Sequence, residues 1–291
     1  MATVSILSET SCRLGEGPAY DPARETLFWF DITERKRYAL HMPTRSQTVL
    51  DLPEMASAMA VIDDARDLIF TETGLQVLDN ETGRLTPHVG IEADNPATRS
   101  NDARVHPSGA FWLGTMGKRA EDGAGAIYRY FEGTVEKLYD GISISNAICF
   151  SPDGATAWFI DSRTGKWMRV AVDAANGAPT GEPEVFCDHT GGEGNIDGAI
   201  CDADGNLWNA RYGAAALDCY APDGKKMFSI DLPARQTTCP AFVGDGLIAV
   251  TSAYQNLDDA TLAADPHAGK TFLVKTPVKP KFEPKVALAE T

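Results

Sequence analysis

The feature that most narrows what this chain can fold into is a short unit that recurs six times. Its clearest copies run from Asn101 to Gly109, from Asn146 to Gly154 and from Asp197 to Gly205. Each copy is a polar residue, a few small or apolar residues, a tight turn and then an aromatic or aliphatic run, the pattern of strand, turn, strand. Aligned on the turns, the copies centre on Asp21, Ile62, His106, Ser151, Asp202 and Val243 or Gly244, at intervals of 41, 44, 45, 51 and about 41 residues, within the range of propeller blades. The second strands carry residues suited to a buried pleated surface, such as Leu27-Phe28-Trp29-Phe30, Phe111-Trp112-Leu113 and Leu207-Trp208. Third strands follow in most copies, for example Ile127 to Tyr130, and fourth strands after them, for example Val135 to Leu138 and Met227 to Ile230. Four antiparallel strands repeated six times predict an all-β, six-bladed β-propeller.

Length bears on domain organisation, since 291 residues admit either two ordinary domains or one large β architecture. Helical periodicity is weak, with only Leu257 to Ala264 reading as a turn of helix, so a single domain over residues 1–291 is expected. The strand Val4 to Leu7 has no place in the first blade. It is expected to complete the last one, closing the ring and removing open sheet edges.

Charge and termini narrow the function. A formal charge of -15 repels phosphate backbones and anionic lipid, which argues against nucleic-acid and membrane-surface roles. The N-terminal residues form no signal peptide and no later run reaches a membrane span of about 20 apolar residues, so a cytoplasmic location is expected. The six cysteines are scattered and read as reduced and mostly buried. A monomer or weak homo-oligomer is anticipated.

Several motifs imitate chemistry without its context. Ala264 to Thr271 ends in Gly-Lys-Thr, but a strand and prolines follow where a phosphate loop needs a helix. Asp202 to Asn206 resembles a calcium loop with its glycine misplaced, and reads as a turn. There is no Gly-x-Ser-x-Gly, and the histidines lack metal-ligand spacing.

What survives is a constellation. Five residues before the aligned turn positions stand Glu16, Ser57, Asn101, Asn146, Asp197, and Thr238 or Cys239. Equivalent blades bring these to one mouth of the central channel. Two carboxylates and two amides are hard oxygen ligands, suited to one divalent cation: calcium, magnesium or manganese, with zinc or iron possible. The alternative is a water-filled channel lined by polar residues.

A resemblance sharpens this reading. Leu14-Gly15-Glu16-Gly17-Pro18, Arg99-Ser100-Asn101-Asp102, Phe111-Trp112-Leu113-Gly114-Thr115-Met116, Ile144-Ser145-Asn146-Ala147, and Asp197-Gly198 with Asp204 to Trp208 are similar to successive signatures of the regucalcin/gluconolactonase family. The likeness runs from about residue 12 to about 255. It implies a six-bladed propeller that hydrolyses a small-molecule sugar lactone with a divalent cation. Glu16, Asn146 and Asp197 match the family's metal ligands, Arg99 and Asn101 its substrate contacts, and Asp197 also its acid/base. Where the family carries a substrate-binding glutamate after Gly-Thr-Met, this chain has Arg119, with Glu121 as a shifted substitute. The expected function is therefore a metal-dependent lactonase, with a non-catalytic, calcium-binding regulatory propeller as the alternative.

Overall fold

The structure is a computed structural model and describes residues 2–289. Six four-stranded antiparallel sheets stand in a ring, a six-bladed β-propeller. In blades one to five the strands follow in sequence from the channel outward. The innermost strands are Gly15–Asp21, Ala56–Val61, Thr98–Val105, Ser145–Phe150, Asn195–Cys201 and Thr237–Gly244. The sixth blade takes its outer strand from the N-terminus: Thr3–Ser8 pairs antiparallel with Thr271–Lys275, Val4 opposite Val274 and Ile6 opposite Phe272. The expected closure by the first strand is therefore present. The one helix among the described residues, Asp259–Ala264, falls inside the stretch anticipated, with the Asp258 carboxylate accepting from the Thr261 amide at 2.7 Å as its N-cap. One outer strand not anticipated is Leu85–Gly90, which accommodates Pro87 because no further strand needs its missing N–H.

Burial follows position in the blade. Every residue of Thr98–Val105 is buried, whereas Gln47–Asp51 on the rim is mostly exposed. The core is accordingly not central but divided among the blade interfaces. Trp112, with Phe150 and Phe159, packs blade three onto blade four. Phe70, Phe111 and Tyr128 join blades two and three, and Trp29 with Ala249 joins blade six to blade one. Trp112 is fully buried, with its indole N–H donated to Gly177 O at 2.9 Å, so truncating it to alanine would cost about 3–5 kcal/mol.

Beyond the last strand the chain crosses the channel as a strap. Lys279 accepts from the Ala203 amide, Phe282 packs on Tyr20 with ring centroids 5.6 Å apart, and the Val286 amide donates to Val61 O. Halfway across, Glu283 takes a hydrogen bond from Arg104 Nη1 at 2.6 Å and another from the Val105 amide at 3.2 Å. The inner strands all run the same way around the channel, so Arg104 and its neighbours mark the end opposite the strand heads. The strap stops that end and turns the channel into a pocket open on one side.

Candidate functional site

The heads of the inner strands are built by a shared irregularity. In each blade the inner strand carries one residue more than its partner at this point: Glu16 faces Phe30 and Ala19 faces Phe28, Asn146 faces Ile160 and Cys149 faces Trp158, Ile196 faces Arg211 and Ala199 faces Asn209. The same step occurs at Asn101-Asp102, at Ser57 and at Thr238-Cys239. An extra residue bends the strand and re-aims the side chain there, which turns the heads toward the axis. Gly17 shows what this requires: its φ is +53°, and a Cβ would run into the Ser57 carbonyl. Ala147 adopts a similar φ of 52° after Asn146, at a cost of about 1 kcal/mol for a residue with a Cβ.

Carboxylates at the ends of two second strands fix the approach. Asp31 accepts from the amides of Arg13, at 2.6 Å, and Leu14, at 3.2 Å; Asp161 does the same for Ser143 and Ile144 at 2.9 and 3.1 Å. Glu16 and Asn146 thus follow two residues behind a pinned backbone.

A cavity of about 220 Å³ opens at this mouth, and Glu16, Arg99, Asn101, Asn146 and Asp197 all line it. A directed chain of hydrogen bonds runs around it from blade three to blade five. Arg99 Nη1 donates to Asn101 Oδ1 at 2.8 Å, Asn101 Nδ2 to Asn146 Oδ1 at 3.0 Å, Asn146 Nδ2 to Ser162 Oγ at 3.0 Å, and Ser162 Oγ to Ile196 O at 2.7 Å, beside Asp197. The chain fixes both amides, with the Asn146 oxygen turned toward Asn101 and its nitrogen toward Ser162. Ser57 and Thr238 occupy equivalent heads but spend their hydroxyls on backbone carbonyls of the next blade, those of Asn101 and Gly15, and do not line the cavity. Of the two candidates for the sixth head, Cys239 instead lies against Gly198 and near Arg104.

The electrostatics are unbalanced. Burial, reinforced by the Asp102 charge, pushes the Glu16 carboxyl up to about 8, and burial with the Glu16 charge raises Asp197 well above the usual carboxylate range. Arg99 offers no direct ion pair to either, since its Nη1 is taken by Ser100 O and Asn101 Oδ1, and burial lowers it to about 10. Arg104 is committed to Glu283 at the far end. Two mutually repelling carboxylates that share a cavity with the amide oxygen of Asn146 fit a divalent cation. Among the described residues no three His, Cys, Asp or Glu side chains converge, so any cation here would need an amide oxygen such as that of Asn146.

Arg119 and Glu121 stand elsewhere. They pair with each other at 2.9 Å on the loop after Gly117; the Arg119 side chain is 86% exposed, and neither lines the cavity. Between them Ala120 does line it, its carbonyl held by Arg163 Nη2 at 2.6 Å. Neighbouring Lys118 is paired with Glu72.

Sequence reasoning missed Met116, Ser162 and Tyr212, which also line the cavity. Their signal was present: in an antiparallel hairpin the end of the second strand returns beside the head of the first. Tyr212 ends a second strand, Met116 stands one residue before the end of another, and Ser162 directly follows a third. Gln255 and Asn256 arrive from a loop and left no such mark.

Comparison with known proteins bears on the family and the fold. The family described as SMP-30/Gluconolactonase/LRE-like region matches residues 14–254. The L-arabinolactonase of Azospirillum brasilense is 34% identical over 277 residues, covering 94% of this chain and 91% of that protein. The 6-deoxy-6-sulfogluconolactonase of Pseudomonas putida is 29% identical over 282 residues, covering 94% and 95% respectively. The crystal structure of a calcium-binding protein, regucalcin, from Agrobacterium tumefaciens str. C58 superimposes with a TM-score of 0.95 at 50% identity, covering 96% of each chain. A family match across the whole run of inner strands, joined to relatives of this identity and coverage, establishes that the chain belongs to the SMP-30/gluconolactonase/LRE-like family.

Proposed function

We propose that this protein is a cytoplasmic, metal-dependent lactonase that opens a small sugar lactone to its acid, with Glu16, Asn146 and Asp197 holding one divalent cation. The observation that carries the reading is the meeting of these three side chains, from blades one, four and five, with Arg99 and Asn101 in one cavity of about 220 Å³. That space suits a five- or six-carbon lactone. A cation held there supplies a Lewis acid for the lactone carbonyl.

The chain's own groups account for the rest. Arg99 presents its remaining guanidinium N–H groups to ring and hydroxyl oxygens, and the Asn101 amide oxygen aims it by accepting from Nη1. One Asp197 oxygen accepts the proton of the attacking water and returns it to the ring oxygen as the ester C–O bond breaks. Burial and the Glu16 charge raise its affinity for a proton above that of an exposed carboxylate, which suits a group that takes and gives one. Because the far mouth is stopped by the strap, the lactone enters and its acid leaves by the same opening.

A non-catalytic calcium-binding propeller is the second reading, favoured by the name given to the Agrobacterium relative. A pH-stat assay of freshly dissolved lactones, with and without chelator, separates the two. The lactonase reading expects acid release that chelator stops and cation restores, and its loss in Asp197→Ala with the fold intact. Turnover in that variant equal to wild type would reject the role given to Asp197.

A further inference from the structure

Beside the cavity lies a second, solvent-open compartment on the same face, between blades five and six. It measures about 550 Å³ and is lined by Gly213, Arg235, Gln236, Leu257, Asp258 and Thr261 among others. Three residues, Asn195, Tyr212 and Asn256, line both spaces and so form the partition between them. Asn195 and Asn256 are exposed, while Tyr212 is half-buried, with the Gln255 side chain at its hydroxyl. The phenol therefore makes the solid part of the wall.

We propose that Tyr212 determines substrate size: its ring confines the site to compact lactones and shuts off a compartment large enough for a substituent the size of a second sugar. The inference rests on the lactonase reading above and names the residue that bounds it.

Three further observations fit. The second compartment is lined largely by polar groups, as a hydroxylated substituent requires. The Tyr212 hydroxyl stays protonated, since burial and the nearby Asp197 push it up to about 12, so the wall adds no third negative charge beside Glu16 and Asp197. The tyrosine ends its strand, opposite Asn195 and bridged to Gln236 through the backbone, so its side chain can change without breaking the ladder.

The test compares kcat/KM for a five-carbon aldonolactone with that for cellobionolactone, an aldonolactone carrying a glucosyl group. In Tyr212→Ala the ratio should move toward the glucosyl substrate by at least tenfold. In Tyr212→Phe, which keeps the ring and removes the hydroxyl, it should stay at the wild-type value. A merely structural role would lower both substrates in parallel and leave the ratio unmoved in Tyr212→Ala, which overturns the proposal. A shift of equal size in Tyr212→Phe also overturns it, since the hydroxyl rather than the ring would then be the determinant. Should Tyr212→Ala melt below the assay temperature, Tyr212→Leu, which keeps an apolar side chain at this half-buried position but removes the ring, should shift the ratio the same way; no shift there is a refutation. A wild-type protein inactive on every compact lactone would remove the lactonase reading and this inference together, whereas an active wild type with a fixed ratio removes only this one.

Discussion

Replacing Glu16 by glutamine should make the cation-free protein more stable at alkaline pH while abolishing its response to cation. Burial and the Asp102 charge move the Glu16 carboxyl from 4.5 to about 8. Between those values the folded protein holds a proton that the unfolded chain has released, so stability is full below about pH 4.5 and falls as pH rises toward about 8. Each pH unit of displacement is worth about 1.4 kcal/mol. Full ionisation therefore costs the cation-free protein at most about 5 kcal/mol, a ceiling because Glu16 keeps part of its surface on the cavity. Glutamine never ionises and avoids that cost. Taking about 2–4 °C per kcal/mol, the variant should melt above wild type at pH 8.5 in chelator by up to about 10–20 °C, with the gap closing toward pH 5. Cation at 100 times its dissociation constant should then raise wild type by about 2.7 kcal/mol and leave the variant unmoved. Differential scanning fluorimetry across pH, with and without chelator, reads both effects. A variant less stable than wild type at pH 8.5 without cation, or one stabilised equally by cation, would refute the charge-repulsion account.

Three other substitutions probe the scaffold and the hydrogen-bond chain. Gly17→Ala forces a Cβ into the Ser57 carbonyl at a left-handed φ and should destabilise by at least about 2 kcal/mol, measured by urea unfolding; an effect below 0.5 kcal/mol would contradict the tight bulge. Glu283→Ala leaves the buried Arg104 with Asp102 at 3.8 Å as its nearest acid and should cost about 3 kcal/mol, yet alter lactone kcat/KM less than threefold because the strap lies at the far mouth. Asn101→Ala frees the Asn146 amide and the Arg99 guanidinium that it aims, so KM should rise about tenfold or more, with a weaker cation affinity by calorimetry; unchanged values of both would remove Asn101 from the site.

The six blades were legible because strand alternation, turn residues and repeat length are local properties, and each blade needs only its own four strands to declare itself. Even the closing strand was readable, as Val4 to Leu7 had no place beside Gly15–Asp21. The recurring polar head likewise pointed to Glu16, Asn101, Asn146 and Asp197. Arg119 and Glu121 show where local reading stopped: three residues after a motif says little about direction once a loop turns, and these two meet each other rather than the cavity.

The sequence alone determined the blade count, the closure of the ring and the set of heads that reach one mouth. Only the tertiary structure decided which heads stay available, because a hydroxyl such as that of Ser57 or Thr238 is taken by a carbonyl that neighbouring blades bring within reach. It also decided the wall at Tyr212 and the strap through Glu283, since both depend on segments far apart in the chain meeting across a closed ring, and no local pattern encodes that distance.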